Sequence, residues 1–176
     1  MTKTAIAKIN ALDRGAFVEL LGALYEHSPW VAERAFADAP FADERELADS
    51  LATSVDTASG VDRLTLIRSH PELAGEKLGS RALTDSSMSE QVSAGFDRLD
   101  PAGIAEWRDL NTAYRERFGF PFVICVRLHT KSEILAALRR RLAGTRDKEI
   151  AEAVEQVHDI AQLRLADLLA RLEEQS

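Results

Sequence analysis

An apolar stripe near the C-terminal end is the feature that most restricts the fold of this chain. From Asp147 to Leu172, hydrophobic side chains recur every three or four residues. This spacing places them on one face of an α-helix, whereas a strand would scatter them over both faces. The segment is therefore predicted to be the longest helix of the chain. The members of the stripe are Ile150, Val154, Val157, Ala161, Leu165, Leu168 and Leu172.

The same period recurs through most of the remaining chain, interrupted by residues that begin or end helices. Short polar side chains that can cap a helix N-terminus stand before most of the apolar runs, and two of them precede a proline. Glycine follows several of the runs and favours a helix end. Predicted helix starts lie at Asp13, Ser28, Asp43, Ser87, Asp100 and Thr130, and predicted ends at Gly119 and Gly144.

Phe120–Val126 is the only run that resembles a strand. A single strand has no partner for its backbone, so we predict a buried extended connection and not a sheet. The short loops between runs indicate one domain over residues 1–176. The predicted fold is all-α, a single-domain bundle of about eight helices with one buried extended connection.

Composition excludes several classes of function. The 176 residues carry a formal charge of −7, which argues against general nucleic-acid binding. No run approaches the ~20 apolar residues that cross a bilayer, and the N-terminus at Met1–Thr4 lacks a long apolar segment, so no signal peptide is expected. Cys125 is the only cysteine, so no internal disulfide or cysteine-rich metal site can form. We expect a cytoplasmic protein without a membrane or nucleic-acid partner.

His70 is the first candidate for chemistry. It lies in Ser69–Gly75, directly before Pro71, which disfavours a helical backbone at the preceding residue. The apolar run Val61–Ile67 leads into it, so a short helix is expected to stop there. A histidine simply satisfied at a helix end is the competing interpretation.

A polar segment after His70 completes a possible cradle for an anionic ligand. Glu76–Ser86 is predicted to be an exposed loop, and Ser87 with Glu90 has the spacing of a capping box. A helix N-terminus beside a titratable histidine favours an anion. In this interpretation Glu90 caps the helix, catalyses, or does both.

Arg164 lies at the edge of the C-terminal apolar stripe. It either extends its head to solvent or pairs with a buried group, which is an internal carboxylate or the carboxylate of a substrate. His27, His129 and His158 show no ligand-like spacing, and Cys125 fits a small buried apolar side chain. No phosphate-binding loop, dinucleotide fingerprint or metal motif occurs.

Together these segments resemble the 2-oxo-4-hydroxy-4-carboxy-5-ureidoimidazoline (OHCU) decarboxylases of urate breakdown. The resemblance spans nearly the whole chain in family order, and Phe96 stands where leucine is expected. The matching segments are Tyr25–Glu33, Ser69–Gly75, Leu83–Gly95, Arg117–Val123 and Ile160–Leu165.

The resemblance implies a cofactor-free, homodimeric carboxy-lyase that converts a small anionic purine-derived substrate to (S)-allantoin. His70 and Glu90 are then catalytic, and Arg164 binds the substrate. The other implied substrate-binding residues are Pro71, Ser87, Met88, Ser89, Gln91, Phe122, Val123, Ile124, Cys125 and Val126, with Glu90 also counted among them. The alternative is a non-catalytic helical module for ligand binding or dimerisation, in which His70 and Glu90 only stabilise helix ends.

Overall fold

A computed structural model of the chain describes residues 4–74, 84–98 and 100–174. Within those ranges the regular structure is helical and contains no strand, which confirms the all-α prediction. Residues 76–83 of the predicted loop Glu76–Ser86 lie outside the described residues, and its predicted end is wrong because Asp85 and Ser86 are helical. The nine α-helices of the described ranges are α1 (Ala5–Ile9), α2 (Arg14–Leu21), α3 (Trp30–Ala35), α4 (Glu44–Asp56), α5 (Gly60–Ser69), α6 (Asp85–Ser93), α7 (Pro101–Phe118), α8 (Lys131–Leu142) and α9 (Arg146–Glu174).

The chain divides into two compact units. Unit 1 comprises Met1–Leu66 and His158–Ser176, and unit 2 comprises Ile67–Val157. Helices α5 and α9 each begin in one unit and end in the other. A single domain over residues 1–176 stays a prediction.

Helix α9 is the long helix that the apolar stripe predicts. Val157, Ala161, Leu165 and Leu168 are buried, whereas Ile150 and Leu172 at the two ends are half-buried. Neither α9 nor any other helix in the described ranges is long and apolar enough to cross a membrane.

Side-chain caps begin most of the predicted helices as expected. Asp13, Asp43 and Asp100 each accept a hydrogen bond from the backbone N–H three residues later, at 2.7–2.9 Å. Thr130 and Glu133 form a reciprocal capping box at the start of α8. These bonds satisfy N–H groups that have no partner within the helix.

The predicted cap at Ser28 is wrong by one position. Pro29 occupies the N-cap of α3, and the Ser28 hydroxyl donates to the Glu26 carbonyl instead, at 3.0 Å. The hydroxyl satisfies the preceding turn and is therefore not available to the helix. Helix α1, which begins after Thr4, was not predicted because its apolar run is short.

Aromatic rings of unit 2 lead from α7 into the extended run. Gly119 ends α7 as predicted, and it has a left-handed conformation with φ of +81°. The Tyr114 ring lies 4.7 Å from that of Phe118 and 5.4 Å from that of Phe122, measured between centroids. Phe96, the one departure from the family pattern, is buried against Trp107 with centroids 5.1 Å apart.

Candidate active site

His70 is buried at the end of α5. The helix stops at Ser69, and the His70 backbone N–H still donates to the Ile67 carbonyl at 3.2 Å. Only 7% of the residue is exposed, and its Nε2 atom is among the buried polar atoms. The imidazole is therefore held in unit 2 away from bulk water, where hydrogen bonds and charges act more strongly.

Two amide side chains hold the residues that follow His70. Gln91 on α6 accepts from the Ala74 N–H at 3.1 Å and donates to the Glu72 carbonyl at 3.3 Å. Asn111 on α7 donates to the Leu73 carbonyl at 2.7 Å. The loop of His70 is thereby fastened to α6, the helix that carries Glu90.

The predicted capping box between Ser87 and Glu90 is wrong. Helix α6 begins at Asp85, and Thr84 is its N-cap, with its hydroxyl accepting from the Ser87 N–H at 3.2 Å. Several hydroxyl and acidic side chains in succession made the start ambiguous, and the acidic Asp85 suits the first turn. Glu90 therefore lies beyond the first turn, is half-buried, and does not cap α6.

The other predicted residues of α6 differ in exposure. Ser87 and Gln91 are buried at 4% and 2% exposure, Met88 is half-buried, and Ser89 is exposed. Helix α6 also contacts the 3-10 turn Val126–Leu128. The structure thus brings α6 together with both the His70 loop and the end of the extended run.

The extended run is buried throughout, as predicted. Phe122, Val123, Ile124, Cys125 and Val126 are each at most 7% exposed. Side chains already bond two of its backbone groups: Arg141 donates to the Val123 carbonyl and Gln156 accepts from the Cys125 N–H, both at 2.9 Å.

Arg141 belongs to a buried polar network that supports this run. Its Nε donates to Glu149 at 2.8 Å, and its guanidinium lies 4.6 Å from the centre of the Phe122 ring. The Tyr114 hydroxyl donates to the same Glu149 carboxylate at 2.5 Å. Burial and then this hydrogen bond raise the pKa of Tyr114 well above its usual range.

Arg164 is buried in unit 1 and forms an ion pair. Its Nη1 lies 3.0 Å from Oε2 of Glu26, whose side chain is fully buried, and 3.5 Å from the Leu24 carbonyl. The imidazole of His27 lies 3.8 Å from the other oxygen of Glu26. Of the alternatives for Arg164, extension to solvent is excluded and pairing with an internal carboxylate is present. A guanidinium has donors for a second carboxylate as well.

Another polar array in unit 1 contains a histidine that the motif does not include. The ring of His158 lies 3.2 Å from the Tyr25 hydroxyl and 3.1 Å from Asp56. Burial and then the charge of Asp56 raise the pKa of Tyr25 above its usual range. Among the described residues, no group of three or more His, Cys, Asp or Glu side chains is placed to hold a metal ion.

Comparison with known proteins supports the resemblance of this chain to the OHCU decarboxylases. The family model described as OHCU decarboxylase matches residues 10–166. The chain belongs to the OHCU decarboxylase family. A relative named 2-oxo-4-hydroxy-4-carboxy-5-ureidoimidazoline decarboxylase, from Haloferax volcanii, is 42% identical over 95% of this chain and 97% of its own length.

Solved structures agree with the OHCU decarboxylase fold. The crystal structure of (S)-allantoin synthase has a TM-score of 0.71 and 32% identity, covering 94% of this chain, and the chain spans 54% of that protein. The crystal structure of an OHCU decarboxylase in the presence of (S)-allantoin has a TM-score of 0.69 at 22% identity, covering 90% of this chain and 99% of that one. The family is one of decarboxylases, so the prediction of a carboxy-lyase is confirmed against the non-catalytic alternative.

In this OHCU decarboxylase family member, sequence reasoning did not recognise the residues that support the predicted site. Asn111 occupies a buried apolar stripe between Trp107 and Tyr114, where an amide is unusual. Arg141 likewise continues the stripe of Ile134 and Leu138. A polar residue on an apolar face was the available signal, because such a residue needs a buried partner. The supporting residues that were missed are Glu26, Asn111, Tyr114, Arg141, Glu149 and Gln156.

Proposed function

We propose that this chain converts OHCU to (S)-allantoin and CO2, with His70 transferring protons. Decarboxylation follows from membership of the family. The observation that supports the role of His70 is structural: its imidazole is buried in a loop fastened to α6, which carries Glu90. The name of the 32%-identical (S)-allantoin synthase supports the S product.

The substrate itself can accept the electrons that decarboxylation releases. When the bond from C4 to its carboxylate breaks, the electron pair forms a C4=C5 double bond, and the C5=N pair moves onto nitrogen, which takes up a proton. The resulting enol then loses its hydroxyl proton, C4 becomes a carbonyl, and C5 gains a proton. This route needs no Schiff base, thiamine or metal.

His70 is suited to the proton transfers of this sequence. It assists the C4 hydroxyl and moves a proton as the enol forms and collapses. Imidazole is the side chain that ordinarily changes charge near neutral pH, so it can both accept and donate. Since uncatalysed decarboxylation also proceeds, the face on which C5 is protonated matters as much as the rate.

Glu90 orients His70 and stabilises its charged form. A carboxylate beside an imidazolium favours protonation through the opposite charge. Thr84 caps the N-terminus of α6, so capping does not compete with this role for the Glu90 carboxylate.

Arg164 helps to hold the substrate in its reactive orientation through its planar guanidinium. Carboxylate is the substrate group that suits the guanidinium fork. The remaining binding residues of the proposal are Pro71, Ser87, Met88, Ser89, Glu90, Gln91, Phe122, Val123, Ile124, Cys125 and Val126.

We further propose that the protein is a cytoplasmic homodimer. The single cysteine is compatible with a reducing compartment, and the family resemblance implies two copies. Light scattering after gel filtration tests the dimer, which should show twice the mass of one chain. A single-chain mass at micromolar concentration would contradict it.

The decisive experiment is circular dichroism of the allantoin that the protein forms. Urate is converted in place by urate oxidase and hydroxyisourate hydrolase, and the protein is then added. We expect a rapidly growing signal of the S enantiomer. A slow racemic background would contradict the proposed function.

His70→Asn provides the test of mechanism in the same assay. Asparagine has a similar size but cannot transfer protons, so we expect kcat to fall by about 10²–10⁴-fold. Far-ultraviolet dichroism should show that the helices remain. Near-normal turnover by this variant would overturn the role of His70.

A further inference from the structure

The residues after His70 are fixed by the amide side chains of Gln91 and Asn111. Both ends of the Gln91 amide bond the loop: Nε2 donates to the Glu72 carbonyl at 3.3 Å, and Oε1 accepts from the Ala74 N–H at 3.1 Å. The Asn111 amide bonds the carbonyl of the residue between them, Leu73, at 2.7 Å. Three successive residues of the loop are thus bonded from α6 and α7.

The backbone of this loop needs such support. Ala74 has φ of +52°, in the left-handed region that residues with a Cβ rarely adopt. A strained residue persists only where its surroundings determine its conformation. The Ala74 N–H donates a hydrogen bond to Oε1 of Gln91, so Gln91 holds the loop at its strained residue.

Asn111 occupies a position where an apolar side chain would pack without unmet polar groups. It is 4% exposed on the buried stripe of α7, and its Oδ1 accepts no hydrogen bond from the described residues. A buried acceptor without a partner is destabilising. The contribution of Asn111 is therefore its Nδ2 donor, which is directed at the loop.

We propose that Gln91 and Asn111 are positioning residues that fix the His70 imidazole relative to Glu90. Gln91 directly follows Glu90 on α6, so its two bonds set the distance between that helix and the His70 loop. Pro71 has a fixed φ and joins His70 rigidly to the residues that are held. The inference rests on the proposed function and deepens it, and it assigns Gln91 a role different from the substrate contact that the resemblance implies.

Two near-isosteric variants test the proposal by steady-state kinetics. Gln91→Met and Asn111→Leu remove the amides and keep most of the volume. We expect kcat to fall at least about tenfold with KM within about twofold of the wild type, because the substrate still binds while the proton-transfer group is misplaced. A raised KM with unchanged kcat would overturn the proposal and indicate a substrate contact.

Stability separates positioning from folding. Asn111→Leu removes one unsatisfied oxygen and withdraws one donor from the loop, so we expect Tm to change by less than about 4 °C. Asn10→Leu is the matched control. The Asn10 amide bonds the carbonyl and N–H of Phe41 in unit 1, at 2.8 and 2.9 Å. The Asn10→Leu variant should have a lower Tm, with kcat at the wild-type value.

A double-mutant comparison shows whether the amides act through His70. In the His70→Asn background, adding Asn111→Leu should lower the residual rate less than about twofold, since effects of residues that act as a unit do not add. An equal loss in both backgrounds would overturn the proposal. If Gln91→Met fails to fold, Gln91→Glu keeps the acceptor for Ala74 and replaces only the donor to Glu72.

A spectroscopic measurement does not depend on turnover. The chain has four histidines, and the His70 imidazole signals can be assigned in ¹H–¹⁵N spectra by their loss in His70→Asn. We expect Gln91→Met and Asn111→Leu to shift those signals and leave the other three imidazoles unchanged. Unshifted signals would overturn the inference. Shifted signals in a protein without turnover would retain it and reject the proposed function.

Discussion

Arg164 and Glu26 place opposite charges in the interior of unit 1. Arg164 is 6% exposed and the Glu26 side chain is fully buried, with 3.0 Å between Nη1 and Oε2. Two buried charges are tolerated because each compensates for the other's lost hydration. Removing either partner leaves the remaining charge to be stabilised by weaker dipoles.

The buried pair predicts separate effects on stability and activity. Glu26→Ala should lower the free energy of unfolding by about 3–5 kcal/mol in a denaturant titration. Arg164→Ala should in addition raise KM by about 10- to 100-fold, which corresponds to the free energy of one hydrogen bond to a charged group. Arg45→Ala is the control, because the Arg45–Asp49 pair is exposed and should contribute little. Unchanged KM and kcat in Arg164→Ala would mean that Arg164 serves only the ion pair.

Both tyrosines of the chain are buried and difficult to ionise. Burial raises the pKa of Tyr25 and of Tyr114, and a neighbouring carboxylate, Asp56 or Glu149, raises it further. Each folded-state pKa therefore exceeds the unfolded value of about 10. Between those two values the unfolded chain releases protons that the folded chain retains.

Stability should consequently decrease above pH 10. The contribution of each tyrosine to the free energy of unfolding is fully present below the unfolded tyrosine pKa. It falls by about 1.4 kcal/mol per pH unit as the pH rises from that value toward the folded pKa. Absorbance at 295 nm should show no tyrosinate until the far-ultraviolet dichroism is lost. Tyrosinate absorbance at pH 10.5 in a protein that keeps its helices would contradict this, and Tyr25→Phe or Tyr114→Phe would identify the residue.

At the scale of residues, the sequence could identify candidates but not their partners. His70 and Arg164 were found from a proline neighbour, an apolar stripe and the resemblance. The carboxylate that pairs with Arg164 lies far away in the chain, and no local pattern connects them. Glu90 was interpreted as a possible cap because it lies three residues after Ser87, whereas the structure places the N-cap of α6 at Thr84.

The extended run is the element whose stability depends most clearly on side chains from elsewhere. Its Val123 carbonyl accepts from Arg141 of α8, and its Cys125 N–H donates to Gln156 of α9. An extended segment without a neighbouring strand must find such partners for its buried backbone. Arg141 can serve because its planar guanidinium donates in several directions at once.

Arg141→Lys should therefore be disruptive although it keeps the charge. Three different nitrogens of Arg141 bond Glu149, the Val123 carbonyl and the Tyr114 hydroxyl, whereas all donors of a lysine lie on one nitrogen. We therefore expect the free energy of unfolding to fall by at least about 2 kcal/mol. Arg139→Lys on the same helix is the control, since Arg139 is exposed and a change within about 0.5 kcal/mol is expected. Equal stability of the two variants, measured in guanidinium, would contradict this account.

At the scale of elements, predictions succeeded where caps and periodicity agreed. Asp13, Asp43, Asp100 and Thr130 begin helices, and α9 follows its stripe, because both signals are local. The extended run was predicted because it breaks the period. Ser28 shows the limit, since its hydroxyl has two possible backbone partners and the sequence does not decide between them.

At the scale of the whole molecule, two helices contribute to both compact units. α5 and α9 continue across the boundaries at Leu66–Ile67 and Val157–His158. A continuous helix resists partial unfolding, because each hydrogen bond is favoured by the turn beside it. The sequence predicted one domain from its short loops and gave no sign of the two units, which only the pattern of long-range contacts reveals.

The shared helices predict a single unfolding transition. Trp30 reports on unit 1 and Trp107 on unit 2, and they are the two tryptophans of the chain. Trp30→Phe leaves Trp107 as the only fluorescent reporter, and Trp107→Phe leaves Trp30. In each variant we expect the fluorescence midpoint in guanidinium to equal the circular dichroism midpoint, and the midpoints of the two variants to coincide. Midpoints that differ, after correction for the effect of each substitution on total stability, would contradict a single domain.

The discontinuity of unit 1 also has a consequence for synthesis on the ribosome. Unit 2 is one uninterrupted stretch, whereas unit 1 needs the segment that starts at His158. About 90 residues separate Leu66 from His158, so at ordinary translation rates about 5–20 s pass between the synthesis of the two pieces of unit 1. During that interval Tyr25 and Glu26, which the finished protein buries, lack the His158 and Arg164 side chains that they contact in the folded unit.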